Sequence, residues 1–235
     1  MLNNNLLALI ITFSVSLIWL RIIDFAAHRG WLESKLSRKI IHIGTGPLFV
    51  LCWLLFTNDP SAKFIAAIVP LAITFQFFLI GIGVLKDEAS VQAMSRTGDR
   101  REILFGPLFY GVIFVLLTIF YWYDSPIGII ALMSLCGGDG MADIIGRRWG
   151  KIKLPWSKTK SWAGSIGMFI GGWSLSALVI GIFLYLGIFM GAYQSYIIPI
   201  TVITLGATIT EALPIKNVDN ITIVVMALTI GHIMF

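Results

Sequence analysis

Long stretches without a single charge recur from one end of this chain to the other, and they limit its architecture more than any other feature. "LLALIITFSVSLIWL", near the start, holds no Asp, Glu, Lys or Arg, and comparable runs follow as far as the last residue. A helix needs about 20 apolar residues to cross the hydrocarbon core of a bilayer. In lipid the backbone must pair within its own segment or within a closed barrel. These runs are continuous rather than alternating, so helices are the expected solution. Charged residues make up 12% of the chain and the mean hydropathy is +0.90, whereas a soluble domain carries about 25% charge. The expected fold is therefore all-α: a polytopic membrane bundle of about eight helices, in a single domain over residues 1–235. We place the helices at 6–22, 40–57, 63–84, 104–123, 126–146, 164–189, 196–213 and 218–235.

The first run follows "MLNNN", with no positive charge and no small-residue cleavage site, so it reads as an uncleaved anchor. With no Arg/Ser-rich transit peptide, the expected setting is a bacterial or cyanobacterial plasma or thylakoid membrane, or a chain already trimmed. Cys52 and Cys136 fall in apolar runs and read as small buried hydrophobes.

Lys and Arg are unevenly spread among the connections. The first connection has Arg21, Arg29, Lys35, Arg38 and Lys39 against Asp24 and Glu33. The third has Lys86, Arg96, Arg100 and Arg101 against Asp87, Glu88, Asp99 and Glu102. The fifth has Arg147, Arg148, Lys151, Lys153, Lys158 and Lys160. The even-numbered connections hold only Asp59, Lys63 and Asp124. Short basic loops stay on the cytoplasmic side. The alternation supports eight spans, with both termini outside and the active-site loops cytoplasmic. The net charge of +5 is a topology signal, and no soluble basic domain is present to bind nucleic acid. The basic loops suit anionic headgroups of the lipid bilayer or a phosphorylated substrate equally.

"GGDGMADIIGRRWG", residues 137–150, carries the polar chemistry. Asp139 and Asp143 are spaced i, i+4 and project from one helix face. Mg²⁺ is commonly held by one or two carboxylates plus substrate phosphates. Gly137, Gly138 and Gly140 remove side chains beside Asp139, so that a phosphate can approach the backbone. Asp143 is also i, i+4 from Arg147, a spacing that makes a helix-surface ion pair. Asp139 has no such partner in its own helix, and an ionisable group at membrane depth points to function.

Downstream, Arg147, Arg148, Lys158 and Lys160 suit phosphate, while Lys151 and Lys153 read as topological charge. Ser161 reads as a phosphate contact or equally as a helix cap. "GRRWGKI" lacks the P-loop spacing. The small-residue face in "GSIGMFIGG" reads as close helix packing. Arg38, Lys39 and His42 open the second helix, and His42 is read as catalytic or merely interfacial. Asp99, Arg100 and Glu102 precede the fourth helix, where an acid also suits a helix N-terminus. Glu211 ends a long uncharged run. Pro214 breaks the chain before Asp219 and Asn220, and Asn217 and Asn220 read as turn residues.

The blocks "SRKIIHI", "ILFGPLFY", "SPIGIIALMSLCGGDGMADIIGRRWG", "KLPWSKTKSWAGSIGMF" and "EALPIKNVDN" together resemble the polyprenol kinase family, and within it the phytol kinases of photosynthetic organisms. The resemblance runs from about Ser37 onward. It implies a CTP-dependent kinase that phosphorylates phytol, released in chlorophyll degradation, to phytyl phosphate for tocopherol biosynthesis. CTP and phytol come from the resemblance alone. Phosphoryl transfer needs mainly positioning and charge neutralisation, which agrees with the residues. On that reading Asp139 and Asp143 hold Mg²⁺, and Arg147, Arg148, Lys158 and Lys160 meet the triphosphate. They are joined by Arg38, Lys39, Ser161, Gly138 and Gly140. Glu102 and Glu211 lead Asp99 and Asp219 as general base, with His42 and Asp139 also among the catalytic candidates.

"GDGMADIIGRRWGK" followed by "KTKSWAGS" also looks like the phosphatidate cytidylyltransferases. Those carry an acid where Ala163 stands here, and their C-terminal block is missing. Kinases for geranylgeraniol, farnesol, dolichol or diacylglycerol are further alternatives. A transporter predicts two matching halves with broken helices, and one loaded helix mouth does not supply them.

Overall fold

The computed structural model describes residues 4–95, 98–214 and 218–235. Arg96 and Asn217, counted above, lie outside the described residues. The chain forms helices α1 (Asn5–His28), α2 (Ser34–Cys52), α3 (Ala62–Ile82), α4 (Glu88–Met94), α5 (Gly106–Phe120), α6 (Pro126–Met133) and α7 (Gly140–Trp149). A two-stranded antiparallel hairpin follows, β1 (Lys153–Leu154) and β2 (Ser157–Ser161). Helices α8 (Trp162–Tyr185), α9 (Tyr193–Glu211) and α10 (Asp219–Met234) complete it. All eight expected segments are helical. Among the described residues six helical stretches are long and apolar enough to cross a membrane; α10 is shorter, and α9 falls outside the six.

The elements make two compact units, residues 1–38 with 52–120, and residues 39–51 with 121–235. In the first unit, Asn4 caps α1 by accepting from the amides of Leu6 and Leu7. The Asn5 side chain then donates to Thr57 Oγ1 and accepts from the Thr57 amide, both at 2.9 Å. This ties the start of α1 to the connection before α3. α3 packs on α1 and α5. A short helix, α4, was not expected from the sequence. Its cap Asp87 accepts from the Ser90 amide and hydroxyl, which hold the Asp87 carboxyl below its ordinary range.

In the second unit α8 packs against α6, α7 and α9, and α10 packs on α9 and α6. Ala142, Met168, Ala207 and Ile223 meet in its core. Small residues set the approach of α8 to α7 and to residues 134–139 just before it. A Cβ on Gly137 would lie 2.6 Å from the Gly171 carbonyl oxygen, and one on Gly167 would lie 2.9 Å from that of Met141. The packing reading of "GSIGMFIGG" therefore holds.

One helix was expected over 126–146, but the chain differs there. Ser134–Asp139 is a π-helical segment between α6 and α7. A π turn inserts an extra residue and shifts the helical register. Gly137 and Gly138 both abut α8, while Gly140 faces Ile43 of α2. Asp139, between them, is carried to α2.

Candidate functional site

The polar residues of the second unit gather where the Lys39 end of α2, the π segment, α7, the hairpin and the Glu211 end of α9 come together. Asp139 ends the π segment with its side chain 18% exposed, and Lys39 Nζ stands 3.0 Å from its Oδ2. The same ammonium lies 3.9 Å from Asp143 Oδ2. The i, i+4 spacing thus puts both carboxylates on one face, as expected, and Lys39 bridges them. His42, one turn along α2 from Lys39, places Nε2 3.3 Å from Asp139 Oδ2 and 3.3 Å from the Leu135 carbonyl oxygen. Both are acceptors, so Nε2 can donate to either of them only when it carries a proton. Arg147 Nε donates to Asp143 Oδ1 at 2.9 Å, the helix-surface pair that the spacing allowed.

A second ion pair lies beside the first. Lys160, on β2, pairs through Nζ with Oε1 of Glu211, whose side chain is 6% exposed. Asp139 is within electrostatic reach of Lys160, and Glu211 within reach of Asp139 and Asp219. The hairpin is fastened to α9 once more by Trp156, whose indole N–H donates to the Ala212 carbonyl at 2.9 Å. Ser161 caps α8, accepting from the Gly164 amide at 3.2 Å, and is buried. Lys158 and Arg148 are exposed, with the Arg148 guanidinium over the Trp149 ring at 5.1 Å.

Arg38 and Glu102 belong to the first unit. Arg38 donates to the Ser95 carbonyl at 3.2 Å, and Glu102 sits in the 3₁₀ turn Arg100–Leu104, capped by Asp99. Sequence reasoning named Lys39, Asp139, Lys160 and Glu211 but paired none of them, and it missed Trp156. The only signal was that Asp139 and Glu211 lie near the ends of charge-free runs and Lys39 and Lys160 in or beside the basic connections.

Among the described residues no group of three or more His, Cys, Asp and Glu forms a closed metal cage. Two carboxylates at the mouth of a buried helix fit a hard cation that takes its remaining ligands from phosphate and water.

Fold and cluster together define a polytopic helical membrane protein with paired ion clusters at the mouth of its most buried span. Comparison with known proteins narrows this. The chain is 39% identical over 217 residues to a protein named "probable phytol kinase, chloroplastic" from Triticum aestivum, covering 92% of this chain and 72% of that one. It is 41% identical to "probable phytol kinase 3, chloroplastic" from Glycine max, covering 94% and 69%. It is also 41% identical to "farnesol kinase, chloroplastic" from Arabidopsis thaliana, covering 88% and 68%. No family model matches, and no solved structure matches. The chain belongs to the phytol kinase family.

Proposed function

We propose that this protein is a membrane kinase that phosphorylates an isoprenoid alcohol, with phytol as its acceptor, CTP as its donor and Mg²⁺ as its metal. The observation that carries the reading is the Lys39–Asp139–Asp143 cluster, held beside Lys160–Glu211 at one end of the second unit. A polar donor and a lipid acceptor can meet only where a span opens to water. The relatives named for phytol and farnesol support an isoprenoid alcohol over phosphatidate as acceptor.

In this reaction the alcohol oxygen bonds to the γ-phosphorus, and the bond from that phosphorus to the β–γ bridging oxygen breaks. The nucleoside diphosphate leaves with the electron pair. Glu211 is assigned to receive the hydroxyl proton, and Glu102 remains the second candidate. Lys39, Arg147, Arg148, Lys158 and Lys160 are assigned to the triphosphate, with Arg38 and Ser161 as further contacts from the sequence reading. Gly138 and Gly140 keep the backbone open beside Asp139. His42 orients Asp139. Asp139 and Asp143 are assigned to Mg²⁺, which would neutralise charge on the transferring phosphate when bound.

Purified protein, γ-labelled CTP, ATP, GTP or UTP, and a panel of phytol, geranylgeraniol, farnesol and diacylglycerol test the reading directly. Labelled phytyl phosphate and CDP are expected. Release of pyrophosphate would instead favour a cytidylyltransferase. We further propose eight spans with the basic connections on the cytoplasmic side. Single cysteines replacing Lys153 and Ser195 should then label from opposite faces; labelling from one face ends that topology.

A further inference from the structure

Lys160 stands between two demands on one charge. Its ammonium pairs with Glu211, and the two side chains are 23% and 6% exposed. The hairpin that carries it grips the end of α9 at two successive residues, through Lys160 to Glu211 and through Trp156 to the Ala212 carbonyl. Lys158 and Thr159 beside it are exposed. No acid occurs between Arg147 and Thr210, so Glu211 is the first carboxylate to follow six cations in the sequence. One ammonium cannot fully neutralise both a buried carboxylate and an arriving phosphate.

We infer that Lys160 changes partner: it neutralises Glu211 in the resting protein and leaves it for the nucleotide's phosphates. Trp156 is the positioning residue that keeps the hairpin within reach of both. The inference rests on the kinase reading. Leaving a buried carboxylate without its counter-ion is unfavourable, so the Glu211 pair opposes nucleotide binding. Removing the Glu211 charge must then tighten binding, even though it takes a group away from turnover. A purely structural ion pair makes no such demand.

The test is equilibrium binding of radiolabelled CTP with Mg²⁺, without alcohol, to the purified full chain in detergent. Glu211→Gln is expected to bind CTP at least about fivefold tighter than wild type, while its turnover with phytol falls at least about tenfold. Lys160→Gln should bind at least about tenfold more weakly. The double variant should match Lys160→Gln, because without Lys160 there is no pair left to break. Trp156→Phe keeps the ring but loses the indole N–H. It should raise the KM for CTP about threefold and leave kcat near wild type, consistent with one lost hydrogen bond. Unchanged or weaker CTP binding by Glu211→Gln overturns the exchange. Should that variant fail to fold, Glu211→Asp, whose shorter side chain loosens the pair, must meet the same criterion. Wild-type protein that binds no nucleotide overturns the kinase reading with it; firm wild-type binding and a flat response to Glu211→Gln overturn the exchange alone.

Discussion

Helix α1 and the helical stretch Pro126–Trp149 are both apolar enough to span a bilayer, yet the protein uses them in opposite ways. The most apolar window of α1 has a mean hydropathy of 2.4, and 17% of it is buried inside the protein; for 126–149 the values are 1.4 and 78%. The more apolar helix is thus the less buried. In water that order would be reversed. In lipid it is natural, because hydrocarbon tails solvate Leu and Ile as well as a protein core does. What the 126–149 span hides inside the protein is its small and polar residues together with aliphatic ones such as Ile129 and Leu132. Ser134, Gly137, Gly138 and Gly140 are buried, and Asp139 pairs with Lys39 of α2. α1 offers Leu6, Ile10, Ile18 and Ile22 to the outside and carries no candidate site residue.

The contrast can be broken most forcefully at Asp139. Asp139→Asn should lower turnover by at least about 100-fold, the scale of a lost electrostatic contact to the transition state, and any residual rate should need more Mg²⁺. A Mg²⁺ titration of initial rates checks this; an unchanged maximum and midpoint would remove Asp139 from the site. Melting curves sharpen it. The single variant leaves Lys39 half-paired, so the double variant Lys39→Met/Asp139→Asn should recover thermal stability without recovering turnover.

Next in size is the small-residue contact. A Cβ on Gly171 would run into the Gly137 carbonyl, with Met141 Cγ at 2.7 Å. Gly171→Leu should cost about 1–3 kcal/mol or more through overpacking, lowering the melting temperature in detergent by at least about 2 °C. An unchanged melting curve would mean that α7 and α8 do not depend on this approach.

Asp143→Asn should be milder. Its partner Arg147 is half exposed, and such i, i+4 pairs are worth about 0.3–0.5 kcal/mol. Turnover should fall less than about tenfold, with a higher Mg²⁺ midpoint if Asp143 is a ligand and an unmoved midpoint if it serves Arg147 alone. The smallest effect belongs to α1. Ile18 is 57% exposed, so Ile18→Ala should shift melting by less than about 1 °C and leave the rate unchanged. A large drop would show that α1 meets protein rather than lipid at that point.

Much of this was open to a reader of the sequence, because hydropathy and cap chemistry act over a few residues. Charge-free runs located every long helix. Ser161 before Trp162 is a cap, one of the two readings its position allowed. The odd-loop basic bias drew attention to Lys39, Asp139, Lys160 and Glu211 in or beside the odd-numbered connections, and the i, i+4 rule correctly joined Asp143 to Arg147.

Tertiary structure decided which cation serves which carboxylate. Lys39 and Asp139 are 100 residues apart, and Lys160 and Glu211 are 51 apart; no local rule couples them. Their meeting depends on which helices become neighbours. In the second unit that is set by glycines that let backbones touch and by a π turn that swings Asp139 toward α2. A long-range ion pair has no period in the sequence because its range is geometric. The four charges stand in the sequence one by one, and the site exists only where packing brings them together.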